Sequence, residues 1–333
     1  MKKSVLCLGD PVFDAFAFVD DQLLIDNNIE KGSAPVKDPA EVKRITDSLT
    51  LAAANCGGSA ANVAKGIGFL GGKVALLGQY GDDERGGQVR DSFISYGVED
   101  RCLMKVGGTT TQIFILVTPD AQRTMLAIFG TSHALDCSKV NYSVIDEYDY
   151  LLLEGYQFGS PNLIQNAYNC LNRAEEKGVG VILCLSNIFC VNSYYEHIKH
   201  FSDKAKIIAG NDEEFLKLFS IDKVEDLLSY LETLCTNSPD SKYVGLIVTL
   251  GKYGAWVFWK GQKIFVGAPD VEKPTDTSGA GDYFVAGLLY GFFHGYSLET
   301  TTKLAQILAG DVISHVGTLL SDNIKDEIKK ILG

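Results

Sequence analysis

Tyr150-Leu151-Leu152-Leu153, Val179-Gly180-Val181-Ile182-Leu183, Ala205-Lys206-Ile207-Ile208 and Gly245-Leu246-Ile247-Val248-Thr249-Leu250 are four short, mainly apolar runs in the second half of the chain. Between them lie the helical patterns Asn162–Glu176, Glu213–Phe219 and Val224–Cys235. A strand that is apolar along its length is buried on both faces, and parallel neighbours need a crossover that a helix supplies. The alternation therefore predicts an α/β fold, a mostly parallel central sheet with helices on both faces.

Outward from this block the pattern persists at both ends. Ser4 to Gly9 reads as a buried strand running into a turn at Asp10-Pro11, and Lys73–Leu77 as another. Asp38–Leu49 reads as an exposed helix and Glu84–Tyr96 as a further one. Ala255–Trp259 and Lys263–Val266 form a hairpin around Lys260-Gly261-Gln262, and the helices Gly281–Gly291, Glu299–Ser314 and Asp322–Leu332 close the chain. Phe13–Val19 and the hairpin Thr110–Thr118/Arg123–Ile128, turning at Pro119-Asp120-Ala121-Gln122, fall outside the alternation. They are left to build a small β-strand lid from about residues 12–20 and 110–128. No repeat or linker divides the chain, so residues 1–333 are expected to form one domain.

Composition narrows the function. The 333 residues are 46% apolar and 22% charged, ordinary values for a globular protein. A net charge of −12 repels nucleic acid and anionic membrane surfaces. It does not exclude a small phosphate ligand, which is held by local N–H groups and a few cations. The eight cysteines form no CxxC pair and are expected to be reduced thiols. Val5–Leu8, after Met1-Lys2-Lys3, is too short for a signal peptide, and no run is long enough to span a bilayer. The expected location is cytoplasmic.

The chemistry is concentrated in Asp276-Thr277-Ser278-Gly279-Ala280-Gly281-Asp282, just before the apolar helical run Tyr283–Phe293. Small residues at a helix start let a ligand approach the backbone, and the first-turn N–H groups of Gly279, Ala280 and Gly281 lack intrahelical partners. Together with the helix dipole they make an anion site. A carboxylate there, Asp282, suits a base that accepts a proton from an attacking hydroxyl. Its structural alternative is an acidic helix cap.

This segment resembles the C-terminal signature of the ribokinase-like (PfkB-type) sugar and nucleoside kinases. Gly57-Gly58-Ser59-Ala60-Ala61-Asn62-Val63-Ala64, continuing to Gly71-Gly72 and Gly81-Asp82-Asp83, resembles their N-terminal signature. The resemblance runs from about Leu6 to about Leu319. It implies the ribokinase-like fold, a three-layer α/β/α sandwich with a β lid, and direct in-line transfer from ATP with Mg²⁺. Asn211-Asp212-Glu213-Glu214 looks like the family's NxxE motif, in which Asn211 and Glu214 organise Mg²⁺, Glu214 through water. Thr249, Gly251 and Gly254 match its nucleotide loop. Asp14, in Gly9-Asp10-Pro11-Val12-Phe13-Asp14, matches the Asp that holds sugar hydroxyls, with Gly57, Gly58 and Asn62 beside it. Arg123 on the hairpin is a candidate phosphate contact. Asp276 and Gly317 stand near the family's monovalent-cation (K⁺) site.

The acceptor is less sharply marked. The long approach from Asp14 through Val19-Asp20-Asp21 and Asn28-Ile29-Glu30 to Gly57 resembles adenosine-kinase-like members. Ser278 departs from the Asn usual there. Phe114, Tyr156 and Phe158 are either a wall for a purine or ordinary core. A purine nucleoside such as adenosine is the expected acceptor, and a free sugar or keto-sugar (ribose, fructose, 2-keto-3-deoxygluconate) the alternative. Dinucleotide enzymes and Walker-type NTPases are disfavoured, since neither GxGxxG after the first strand nor GxxxxGK[ST] is present. The lid strands leave monomer and homodimer open.

Overall fold

The computed structural model describes residues 2–33, 35, 37–120, 122–238, 240–271 and 274–333. Ala121 of the expected lid turn, and Met1, lie outside them. The strands, in chain order, are β1 Val5–Leu8, β2 Val12–Phe18, β3 Ala53–Gly57, β4 Val74–Leu77, β5 Gln79–Gly81, β6 Glu99–Asp100, β7 Leu103–Lys105 and β8 Thr111–Val117. They continue with β9 Arg123–Ile128, β10 Tyr150–Glu154, β11 Gly180–Cys184, β12 Ile207–Asn211, β13 Gly245–Thr249, β14 Ala255–Trp259 and β15 Gln262–Val266.

Nine strands form the central sheet in the order β15-β14-β13-β12-β11-β10-β1-β4-β6. The pairs from β6 to β13 are parallel, and β13-β14-β15 add an antiparallel edge. Side chains alternate across it, as a two-residue period demands. Cys7, Leu76, Leu152, Ile182, Ile207 and Ile247 pack under helices Ser59–Phe69, Ala280–His294 and Leu298–Ile313. Leu6, Leu77, Leu153, Leu183, Ile208 and Leu246 pack on the opposite face with helices Pro161–Lys177, Tyr195–Lys204, Asp212–Phe219 and Val224–Leu234. This is the expected three-layer α/β/α sandwich. Parallel register brings the C-terminal ends of β1, β10, β11, β12 and β13 to one edge, where α/β sheets bind ligands.

The lid is a second sheet, β3-β2-β8-β9, in which β2 and β8 run parallel. Helix Pro39–Thr46, expected to be exposed, buries Val42 and Ile45 against it, and helix Asp21–Asp26 buries Leu24. Both positions lie one turn apart or singly on a short helix, so the sequence period is too brief to show an apolar stripe. All eight cysteines are unpaired. Among the described residues no helix is long and apolar enough to cross a membrane.

Candidate active site

Helix Ala280–His294 begins at Gly279, whose φ of 74° lies in the left-handed region that only glycine enters freely. That turn sets Asp282 in the first helical turn, so that Gly281 and Asp282 line the cleft, while the Ala280 N–H donates to Thr277 O at 3.3 Å. The Asp282 carboxylate accepts hydrogen bonds from Ser59 Oγ at 2.7 Å and Asn62 Nδ2 at 3.0 Å. Both donors come from the start of helix Ser59–Phe69, so two distant helix N-termini meet at this carboxylate. Burial pushes Asp282 up to about 6, while the two hydrogen bonds and the Lys65 ammonium hold it down. Such a group is ionised at neutral pH and still basic enough to take a proton.

Asp14 lies on β2, a strand of the lid. Burial pushes it up to about 7, with Lys65 opposing the rise and Asp276 adding to it. A Cβ on Gly57 would run into Asp14 Oδ2, which is why the residue facing this carboxylate is glycine. Asn62, expected to touch the acceptor, is buried and gives its amide N–H to Asp282. Gly58 caps helix Ser59–Phe69 at φ 100°.

Three further groups were given no role in the sequence reading. Ser59 is one. Lys65 is another: it is 1% exposed, and its Nζ donates to the carbonyls of Cys56 at 2.5 Å and Thr318 at 3.4 Å. Burial pushes its ammonium down to about 8, against the field of Cys56, Asp14 and Asp282. Glu154, the last residue of β10, is also 1% exposed and accepts from the backbone N–H groups of Asp10 (3.2 Å) and Ala60 (2.5 Å). Burial pushes it up to about 8.

Asn211 caps helix Asp212–Phe219 in a reciprocal capping box. Its Oδ1 accepts from Glu214 N–H, and Glu214 Oε2 accepts from Asn211 N–H, both at 2.9 Å. Glu214 is buried; burial pushes it up to about 7, and the Asp282 charge adds to the rise. Asn211, Glu214, Thr249, Gly281 and Asp282 line one pocket, together with Ser186 at φ 72°. Gly251 and Gly254 shape the turn after Thr249 without lining that pocket.

Arg123 is not directed into this pocket. Its Nη1 lies 3.0 Å from Asp276 Oδ1. Asp276 Oδ1 also accepts from Ser278 N–H at 2.9 Å, and Oδ2 from Gly317 N–H at 3.0 Å. Asp276 and Gly317 are therefore adjacent, with the Gly317 N–H turned to the carboxylate.

A mostly parallel sandwich, a strand lid and an Asp at a glycine-led helix start are the features shared with one group of enzymes. Residues 52–325 match the family described as pfkB family carbohydrate kinase. The chain belongs to that family. It is an ATP-dependent kinase of the sugar and nucleoside class. A 5-dehydro-2-deoxygluconokinase from Lacticaseibacillus casei is 26% identical over 79% of this chain and 81% of its own length. Two solved structures superpose over 99% of both chains with a TM-score of 0.86 and 28% identity. One is a probable sugar kinase from Rhizobium etli CFN 42, the other an adenosine kinase from Sinorhizobium meliloti.

Proposed function

We propose that this pfkB kinase transfers the γ-phosphoryl group of Mg·ATP to a primary hydroxyl of a purine nucleoside such as adenosine. The carrying observation is the lid face that bears Asp14. Register sets Asp14 and Phe16 on β2 beside Ile113 and Ile115 on β8, and these beside Ala127 and Met125 on β9. The alternate residues Phe13, Ala15, Phe114, Leu116 and Leu126 pack away from them, into the core under the lid helices. The Asp14 face thus carries the carboxylate beside Asn55 of β3, with Arg123 at the far end of β9 and apolar side chains between. A ribose diol suits the carboxylate and a flat base suits the surround. A free sugar would also set hydroxyls against Ile113, Ile115, Met125 and Ala127, which offer them no partners. The full-length similarity to an adenosine kinase supports the same reading.

Phe114 and Phe158 are core residues and do not contribute to a purine wall. Tyr156 is half exposed after the end of β10 and remains a candidate. The sugar reading draws support from the 5-dehydro-2-deoxygluconokinase and the probable sugar kinase.

In this reading Asp282 takes the proton from the acceptor hydroxyl as it attacks. The helix start at Gly281, which lines the pocket, faces the negative charge on the transferred group with the positive end of the helix dipole. No nucleophile with an activating partner calls for a phospho-enzyme. Glu214 and Asn211 fit a water-held Mg²⁺: the buried Glu214 already feels the repulsion of Asp282, Glu213 and Asp212, which a cation relieves. When bound, Mg²⁺ neutralises phosphate charge. Unpaired cysteines suit a reducing cytoplasm.

The test is ADP release with adenosine, inosine, guanosine, cytidine, ribose, fructose and 2-keto-3-deoxygluconate, with Asp282→Asn as the control. Turnover on adenosine, lost in the control, is expected. Turnover confined to a sugar would keep the mechanism and replace the acceptor.

A further inference from the structure

Asp276 and Gly317 are where a monovalent cation is expected beside the anion-hole loop, and the Asp276 carboxylate there is already paired. Gly317 gives its N–H to Asp276 Oδ2. Asp276 is 2% exposed, and its carboxylate already takes two backbone N–H groups and a guanidinium. A second cation at this carboxylate would sit within a few ångströms of the Arg123 charge, in a site shielded from water.

We propose that Arg123 is the built-in counter-cation of the Asp276–Gly281 loop, and that its delivery by the lid couples lid closure to the ordering of that loop. Arg123 is the first residue of β9, paired with Val117 at the tip of the lid hairpin. The same strand carries Met125 and Ala127 on the acceptor wall. Seating the acceptor against this wall and bringing the guanidinium to Asp276 are therefore one movement of one strand. At the other end, Asp276 anchors Ser278 N–H, next to Gly279, and Gly317 N–H, next to Thr318. Thr318 O in turn accepts from Tyr283 Oη and from Lys65 Nζ. Through these contacts the lid tip reaches both flanks of the helix start that carries Asp282. Arg123 touches Asp276 and not the reacting atoms, so it is a positioning residue.

The proposal rests on the kinase assignment and not on the identity of the acceptor. Its first test needs no acceptor. Hydrogen exchange is followed in wild type, Arg123→Gln and Arg123→Lys, with the central strands β10–β12 as the internal reference for folding. In Arg123→Gln, exchange is expected to accelerate in both 111–128 and 276–281 while the reference stays unchanged. Arg123→Lys keeps the charge but not the planar fork, and is expected to fall between. The second test measures rates, with whichever acceptor turns over, in potassium, sodium and tetramethylammonium salts at one ionic strength. Wild type is expected to show the same rate in all three. Arg123→Gln is expected to lose about tenfold to a hundredfold in kcat, with partial recovery on adding guanidinium. Two results would overturn the proposal: several-fold stimulation of wild type by potassium over tetramethylammonium, or normal exchange at 276–281 in Arg123→Gln. The latter, with a lost rate, would instead make Arg123 a direct phosphate contact.

Discussion

A carboxylate works as a base only while ionised, and the environment of Asp282 decides when that is. With burial raising it to about 6, activity is expected to rise with pH to a plateau, with the half-point near that value. Asp282→Asn keeps the shape and both contacts in outline but cannot take a proton, so a loss of about 10²–10⁴-fold in kcat is expected. A pH–rate profile flat between pH 5 and 8 would remove Asp282 from this role. Lys65 is the cation that holds both Asp282 and Asp14 toward the ionised form. Lys65→Met fills the same space without the charge. The acidic limb of the profile should then move upward by roughly one pH unit, and an unmoved limb would reduce Lys65 to packing. Asp282, Asp14 and Glu214 were legible because their motifs name them. Lys65 was not, because a lysine among small residues reads as a solvent-facing side chain. In the fold the end of β3 at Cys56, the Thr318 loop and the Tyr96 ring close around it.

Strand ends do a similar job with backbone groups. β10 reads in sequence as an apolar run that stops at Leu153, and a Glu after such a run suggests a solvated end. In the fold Glu154 extends the strand and ties the β1 turn, through Asp10 N–H, to the start of helix Ser59–Phe69, through Ala60 N–H. Both of its oxygens accept, whether or not one carries the proton. Glu154→Gln replaces one of them with an NH₂ that faces a buried N–H donor. A loss of about 1–3 kcal/mol is expected, seen as a lower Tm by calorimetry; an unchanged Tm would mean that the tie is replaceable. β3 was missed for a different reason. Ala53-Ala54-Asn55-Cys56-Gly57 has no β-branched or aromatic residue. It becomes a strand because β2 offers it a partner, and because Gly57 must make room for Asp14. The βαβ block around β10–β13 was legible because each strand is buried on both faces, which writes its pattern into every residue.

At the scale of the molecule, the open question left by the sequence was how the lid protects its own strands. An exposed sheet invites pairing with another chain. Here one lid face receives Leu24, Val42 and Ile45 from the two helices between β2 and β3, packed with Phe13, Ala15, Phe114, Leu116 and Leu126. The other face, which bears Asp14, is the one proposed to seat the acceptor. The free edge of β9 is covered from within the chain: Ser33 O accepts from Met125 N–H, and Thr124 Oγ1 accepts from Gly32 N–H at 3.0 Å. The sequence showed extra length in this region but not its purpose, since the burying positions are few and depend on a sheet built from residues far along the chain. The chain is therefore expected to be a monomer of 36.2 kDa in light scattering, from dilute to concentrated solution. Replacing Leu24 and Val42 together by serine strips the cover from the lid. That variant is expected to associate, or to exchange its lid amides faster, while β10–β12 stay protected. A wild-type dimer that persists on dilution would place a partner where these helices now sit at the lid edge, and lid motion would then depend on concentration rather than on the chain alone.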